Sequence, residues 1–117
     1  MVTLQAPTQA IDARQLRAAL ALSRERMARL LDVSWKTVER MEASGRLPTN
    51  AAAAARLAQI QQIVEFGQAV YTPEGFAHFV STPLPTFGGL TALQMIERGQ
   101  GDQVLGALVT DYEGAPT

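Results

Sequence analysis

The chain has 117 residues, 47% of them hydrophobic, and a formal net charge of −1. This apolar content suffices for one domain core, or for two small helical modules that share one, and excludes a disordered chain. No run approaches the roughly 18 apolar residues that cross a bilayer, and early charged residues interrupt any secretory signal. The chain has no cysteine, which excludes disulfides, thiolate metal sites and cysteine nucleophiles and is typical of a cytoplasmic protein.

The small net charge conceals a difference between the two halves. Residues 1–60 carry nine basic and five acidic side chains, a net charge of +4, whereas residues 61–117 carry one basic and six acidic side chains, a net charge of −5. A basic half joined to an acidic half predicts two different partners, a polyanion for the first and a less anionic surface for the second.

The first half reads as four helices in sequence. A helical pattern begins at Ile11, Ser23 can cap a second helix, and Ser34 can cap a third that ends at Gly45. Asn50 can cap a fourth helix, which the alanine-rich pattern extends to about residue 66. We expect residues 1–10, which are polar and irregular, to form a flexible arm.

The second half has shorter helical segments separated by proline and glycine. Pro73 opens one segment, which the prolines at positions 83 and 85 end. Thr91 can cap the next, and Asp102 can cap the last. No strand is evident, so the predicted fold is all-α: a helix-turn-helix followed by a small C-terminal helical module.

The second and third helices have the spacing of a DNA-binding helix-turn-helix, in which a short turn lays the second helix in the major groove. Ala28 is small where the helices cross, Val33 fills the turn, and Val38 and Met41 anchor the third helix. With Leu22, Ser23, Leu31 and Ser34, these residues resemble the Xre/phage-repressor family of helix-turn-helix domains. The resemblance implies a structural ion pair between Arg17 and Glu42.

The outward face of the third helix supplies the candidate DNA contacts. Arg40 can pair with guanine, Lys36 with guanine or a phosphate, and Trp35 with a thymine methyl group or a sugar. Trp35 is equally compatible with a protein contact, and we expect Arg26 and Arg29 to form a solvated face. The predicted DNA-binding residues are Arg24, which can hold a phosphate, and Ser34, Trp35, Lys36, Thr37 and Arg40.

From about residue 66 onward the chain is similar to the toxin-binding domain of the Xre/MbcA/ParS antitoxins. The matching residues are Phe66, Gly67, Ala77, Phe79, Pro83, Phe87, Gly88, Gly89, Leu90, Thr91, Leu93, Gly101, Val104, Leu108, Glu113 and Gly114. The resemblance implies a DNA-binding domain at residues 11–66 and a toxin-binding domain at residues 67–117. It also implies an antitoxin that covers the active site of a RES-domain toxin, an enzyme that consumes NAD, and represses its own operon.

The same resemblance implies which residues meet the toxin. A pair of glycines in this position is also what a turn with positive φ requires, and Tyr112 is also compatible with the edge of a core. The implied toxin-binding residues are Phe87, Gly88, Gly89, Tyr112, Glu113 and Gly114.

The residues give no support to an enzyme. His78 is the only histidine, and no phosphate-binding glycine loop is present. Glu97, Asp102 and Asp111 are spaced like solvated helix faces. We therefore expect no catalytic residue, cofactor, metal or small-molecule substrate. We expect instead a homodimer that binds double-stranded operator DNA. The alternative is a stand-alone transcriptional regulator whose C-terminal half only dimerises.

Overall fold

The computed structural model describes residues 12–113, and these residues form helices and connecting turns without a strand. The predicted all-α fold is confirmed. The elements are α1 (Ala13–Ala19), α2 (Arg24–Leu31), α3 (Trp35–Ser44), α4 (Ala51–Val70), α5 (Pro73–Ser81), a 3-10 turn (Pro85–Phe87), α6 (Ala92–Glu97) and α7 (Gly101–Glu113).

Side-chain caps define the starts of the first three helices. Asp12 accepts a hydrogen bond from the backbone N–H of Gln15, and Ser23 accepts one from that of Arg26. Ser34 caps α3 in the same way, and Gly45 ends it in a left-handed conformation with φ of +72°. These caps satisfy backbone donors that have no partner within the helix. The second and third helices begin at the predicted caps, whereas α1 begins at Ala13, two residues after the predicted start.

The fourth helix is longer than predicted. Asn50 caps it as expected, but the helix continues past residue 66 to Val70. Gly67 is inside this helix, and the ring of Phe76 occupies the space that a side chain at position 67 would need. A Cβ there would lie 2.1 Å from the ring. The predicted boundary between residues 66 and 67 therefore falls within a continuous helix.

The C-terminal helices begin at caps that the sequence largely identifies. Thr72 caps α5 ahead of Pro73, and Thr91 forms a capping box with Gln94. The prediction that Asp102 caps the last helix is wrong, because α7 already begins at Gly101 and Asp102 lies in its first turn. Gly101 approaches Gln59 so closely that a Cβ would lie 2.2 Å from its side-chain oxygen.

One hydrophobic core joins the two halves of the chain. The long helix α4 lies at its centre and packs most extensively on α7, while α2 also contacts α6. Completely buried residues come from both halves, among them Met27, Ile60 and Leu108. The helix-turn-helix is therefore packed against the C-terminal helices rather than tethered to them.

Candidate functional site

The turn between α2 and α3 has the geometry that the sequence predicts. Asp32 adopts a left-handed conformation with φ of +56°, and the N–H of Val33 donates to the carbonyl of Ala28 at 2.9 Å. Val38 is fully buried and Met41 nearly so. Buried contacts thus fix α3 against α2 and turn its opposite face outward.

The outward face of α3 carries the predicted DNA-reading residues. Trp35 is 47% exposed, and Lys36 and Arg40 are exposed as well. Within residues 12–113, neither the Lys36 nor the Arg40 side chain makes a hydrogen bond to another residue. The hydroxyls of Ser34 and Thr37, by contrast, lie 3.0 Å apart within the helix cap, so their first role is local.

Arg17 and Glu42 form an ion pair between α1 and α3. Arg17 Nε donates to Glu42 Oε2 at 2.6 Å and Nη2 donates to Oε1 at 3.1 Å. A third donor, Nη1, bonds the carbonyl of Leu22 at 3.1 Å. The Glu42 side chain is 1% exposed and that of Arg17 is 22% exposed, so the carboxylate is buried beneath the guanidinium.

A second arginine, Arg24, shares the same carboxylate. Arg24 Nε donates to Glu42 Oε1 at 3.2 Å, and the Arg24 side chain is 41% exposed. The hydrogen bond from Arg17 is the main cause that lowers the pKa of Glu42; burial opposes it, and Arg24 lowers the pKa further. The hydrogen bond to Glu42 raises the pKa of Arg17. Glu42 is therefore ionised and held by two positive charges.

The Phe87–Gly89 turn presents backbone rather than an aromatic side chain. Gly88 and Gly89 both have positive φ, +64° and +87°, and both are exposed. Phe87 is only 5% exposed, and its ring packs edge-on against Phe79 with centroids 6.5 Å apart. Of the three residues predicted to meet a toxin here, the two glycines are accessible and Phe87 supports them from the core.

The end of α7 carries the other predicted partner contacts. Tyr112 is 52% exposed and packs edge-on against Phe66, with ring centroids 5.9 Å apart. Glu113 is exposed as the last residue of α7. Gly114, the remaining predicted contact, lies outside the described residues.

A groove of about 500 Å³ runs between the 3-10 turn and α7, near the predicted partner contacts. Beside it, the Tyr71 hydroxyl donates to Asp111 Oδ2 at 3.4 Å. Burial, and then the negative charge of Asp111, raise the pKa of Tyr71. The groove is lined by Phe79, Leu84, Thr86, Phe87, Gln103, Gly106, Ala107, Thr110 and Asp111.

Two ion pairs are not predicted by the sequence analysis. The expectation that Arg26 forms a solvated face is wrong, because Arg26 Nε donates to Glu97 Oε2 at 2.7 Å. Glu97, also expected on a solvated face, thereby ties α6 to α2. Neither this pair nor the pair between Arg24 and Glu42 follows from spacing within one helix, since the partners are 71 and 18 residues apart. Arg29 is exposed as expected.

Residues 12–113 contain no group of three or more His, Cys, Asp or Glu side chains placed to hold a metal ion. In the same part of the chain, no helix has the length and apolar character needed to cross a membrane.

The described residues define an all-α protein in which a helix-turn-helix is packed on a C-terminal layer of helices. The fold is similar to that of a chain in the crystal structure of the M. tuberculosis MbcT–MbcA toxin–antitoxin complex, with a TM-score of 0.74 and 18% sequence identity. The match covers 92% of this chain and 96% of that chain. No family model and no curated protein matches the sequence. At this identity, the likeness establishes the fold.

Proposed function

We propose that this chain is an antitoxin of the Xre/MbcA/ParS type. It neutralises a RES-domain toxin, an NAD-consuming enzyme, by covering the toxin's active site with its C-terminal end. Its helix-turn-helix binds operator DNA as a dimer and represses the operon. In this role the chain acts by binding alone and performs no catalysis itself.

The observation that carries the proposal is the fold likeness to a chain of a toxin–antitoxin complex. It extends over 92% of this chain and 96% of the other, so it includes the C-terminal helices as well as the helix-turn-helix. A helix-turn-helix alone occurs in many regulators, whereas the combination with these C-terminal helices favours the antitoxin over the stand-alone regulator.

The partner-facing part of the proposal is supported by the end of α7. The net charge of −5 over residues 61–117 suits a basic cleft that holds the phosphates of a dinucleotide. Tyr112 offers an exposed aromatic surface with a polar tip, a residue type that often anchors interfaces. Glu113 offers carboxylate oxygens to arginines of the toxin.

Neutralisation is tested by co-expressing the chain with the protein encoded by the adjacent gene. We expect the two proteins to copurify, the chain to rescue growth, and the purified complex to leave NAD intact. A neighbour that is not toxic, or that does not copurify, contradicts the antitoxin role and favours the stand-alone regulator.

The contribution of the C-terminal end is tested by deleting residues 112–117. The deletion removes Tyr112 and Glu113 and should preserve folding and DNA binding while growth rescue is lost or the complex again consumes NAD. If the truncated protein protects cells as well as the full chain does, neutralisation resides elsewhere, and the exposed Gly88–Gly89 turn is the next surface to change.

DNA binding is tested on the protein's own promoter by gel shift. One helix-turn-helix offers few phosphate contacts, so two recognition helices about 34 Å apart are needed for useful affinity. We expect the double variant Lys36→Ala/Arg40→Ala to lose binding. Unchanged affinity in that variant contradicts the assignment of the outward face of α3 to DNA.

A further inference from the structure

The cluster of Arg17, Glu42 and Arg24 contains more positive charge than the buried carboxylate requires. Arg17 alone donates to both carboxylate oxygens, at 2.6 and 3.1 Å. Arg24 adds a third donor, Nε, at 3.2 Å. The second arginine is therefore not needed to satisfy the carboxylate, and the cluster retains a net charge of +1.

The remaining donors of Arg24 are available to a ligand. Within residues 12–113, Nη1 and Nη2 of Arg24 make no hydrogen bond, and 41% of the side chain is exposed. Because a guanidinium is planar and rigid, a carboxylate that holds Nε also restricts the direction of the two Nη groups. This geometry leaves a fixed pair of donors at the surface.

The position of Glu42 on α3 places this pair beside the predicted DNA-reading face. Glu42 and Trp35 are seven residues apart, which places them within about 20° of each other around the helix axis and about 10 Å apart along it. Trp35 is exposed, whereas the Glu42 side chain lies inward at the same edge. Arg24 thus reaches the edge of α3 on which Trp35 stands.

We propose that Glu42 is a positioning residue for DNA binding: its buried carboxylate orients Arg24 so that the two Nη groups bind one phosphate of the DNA backbone. The inference rests on the proposed DNA binding and adds to it the group that sets the Arg24 geometry. Paired N–H donors match the oxygens of a phosphate, and a lysine ammonium lacks this fork.

The test measures promoter binding by fluorescence anisotropy over a series of salt concentrations, using the full chain. Arg24→Ala should weaken binding and reduce the slope of log affinity against log salt by about 0.9 for each bound chain. Arg24→Lys keeps the charge and should therefore keep the salt slope, yet it should lose about tenfold in affinity, because a lysine ammonium lacks the planar fork that holds a carboxylate and a phosphate in fixed geometry. Arg29→Lys, an exposed residue on the same helix, is the matched control and should bind like the original protein.

Glu42→Gln tests the positioning role itself, with circular dichroism to verify that the variant is folded at the assay temperature. It should weaken binding about tenfold in the original chain and have little effect in the Arg24→Ala background. If it does not fold, the comparison of Arg24→Lys with Arg29→Lys decides the question. Binding by Arg24→Lys equal to that of the original protein overturns the inference, as does an equal loss from Glu42→Gln in both backgrounds. Absence of promoter binding by the unmodified chain overturns the proposed DNA binding together with this inference.

Discussion

The two halves of the molecule are stabilised in different ways. The helix-turn-helix half combines side-chain caps at the starts of its helices with a buried carboxylate held by two arginines. The C-terminal half packs aromatic rings against one another and brings α4 close to its neighbours through glycine. Helices in both halves begin at side-chain caps, but the first half adds a buried ion cluster and the second adds packed aromatic rings and close contacts at glycine.

This difference has a functional counterpart. The first half offers an exposed basic face, because buried Val38 and Met41 fix the opposite face of α3. The second offers an exposed glycine turn supported by a buried phenylalanine, and an exposed tyrosine at the end of α7. Breaking one contact of each kind shows how far each half depends on it.

The largest effect should come from Arg17→Ala, which breaks the ionic cluster. The change leaves the buried Glu42 carboxylate with Arg24 alone and removes the donor to the Leu22 carbonyl. We expect the free energy of unfolding to fall by about 3 kcal/mol. Urea denaturation measures the change, and Arg14→Ala, an exposed position on the same helix, should stay within about 0.5 kcal/mol of the original protein. A loss from Arg17→Ala no larger than that of the control contradicts the prediction.

The next largest effect should come from Gly67→Ala, which tests close packing in the C-terminal half. The new methyl group would overlap the ring of Phe76, and we expect a loss of about 2 kcal/mol in the same measurement. Gly106→Ala is the matched control, because Gly106 is also helical but has no neighbour within 4 Å of a Cβ. That variant should gain about 0.5–1 kcal/mol from lower backbone entropy in the unfolded chain. Equal effects at both positions would show that backbone propensity, rather than packing against Phe76, decides the outcome.

The sequence predicts more of the first half than of the second, because caps and turns depend on neighbouring residues whereas close packing depends on residues far apart in the chain. The caps at Ser23 and Ser34 depend on residues within three positions, and the helix-turn-helix has a local spacing, so the pattern predicts both. α4 continues beyond residue 66 through Gly67, whose missing side chain leaves room for the Phe76 ring, and no local pattern reveals that contact. The buried contact of Phe87 with Phe79 likewise joins residues from different elements, and the sequence alone predicts Phe87 only as a partner contact.

In the candidate sites, too, features set by neighbouring residues are predicted and features set by packing between helices are not. Trp35, Lys36 and Arg40 lie on the outward side of a helix, which helical periodicity predicts. The contact between Arg24 and Glu42 joins two different helices, and only the packing of α2 on α3 brings those residues together. The outward position of these three residues therefore follows from periodicity, whereas the carboxylate that Arg24 contacts does not.

A smaller effect should appear as a pH dependence that reports on Glu42. Its pKa in the folded state is lowered, chiefly by the hydrogen bond from Arg17, so the carboxylate stabilises the fold above its unfolded pKa of about 4.3. That stabilisation is lost as the pH falls through the folded-state pKa. The difference in unfolding free energy between the original chain and Glu42→Gln should therefore shrink below about pH 4, as measured by urea denaturation at several pH values. A difference that stays constant from pH 6 to pH 3 contradicts the prediction.

The smallest effect should come from the ion pair that joins the two halves. Arg26 and Glu97 are 2.7 Å apart, but 31% and 29% of their side chains are exposed, so water competes for both charges. A double-mutant cycle with Arg26→Ala and Glu97→Ala should give a coupling energy of about 0.5 kcal/mol, and less in high salt.

Unfolding should remain a single transition in both variants, because the apolar packing of α2 and α4 in the shared core persists. Arg29→Ala should show no coupling to Glu97→Ala. Two separate transitions after removal of Arg26 would mean that this ion pair, and not the shared core, makes the halves unfold together.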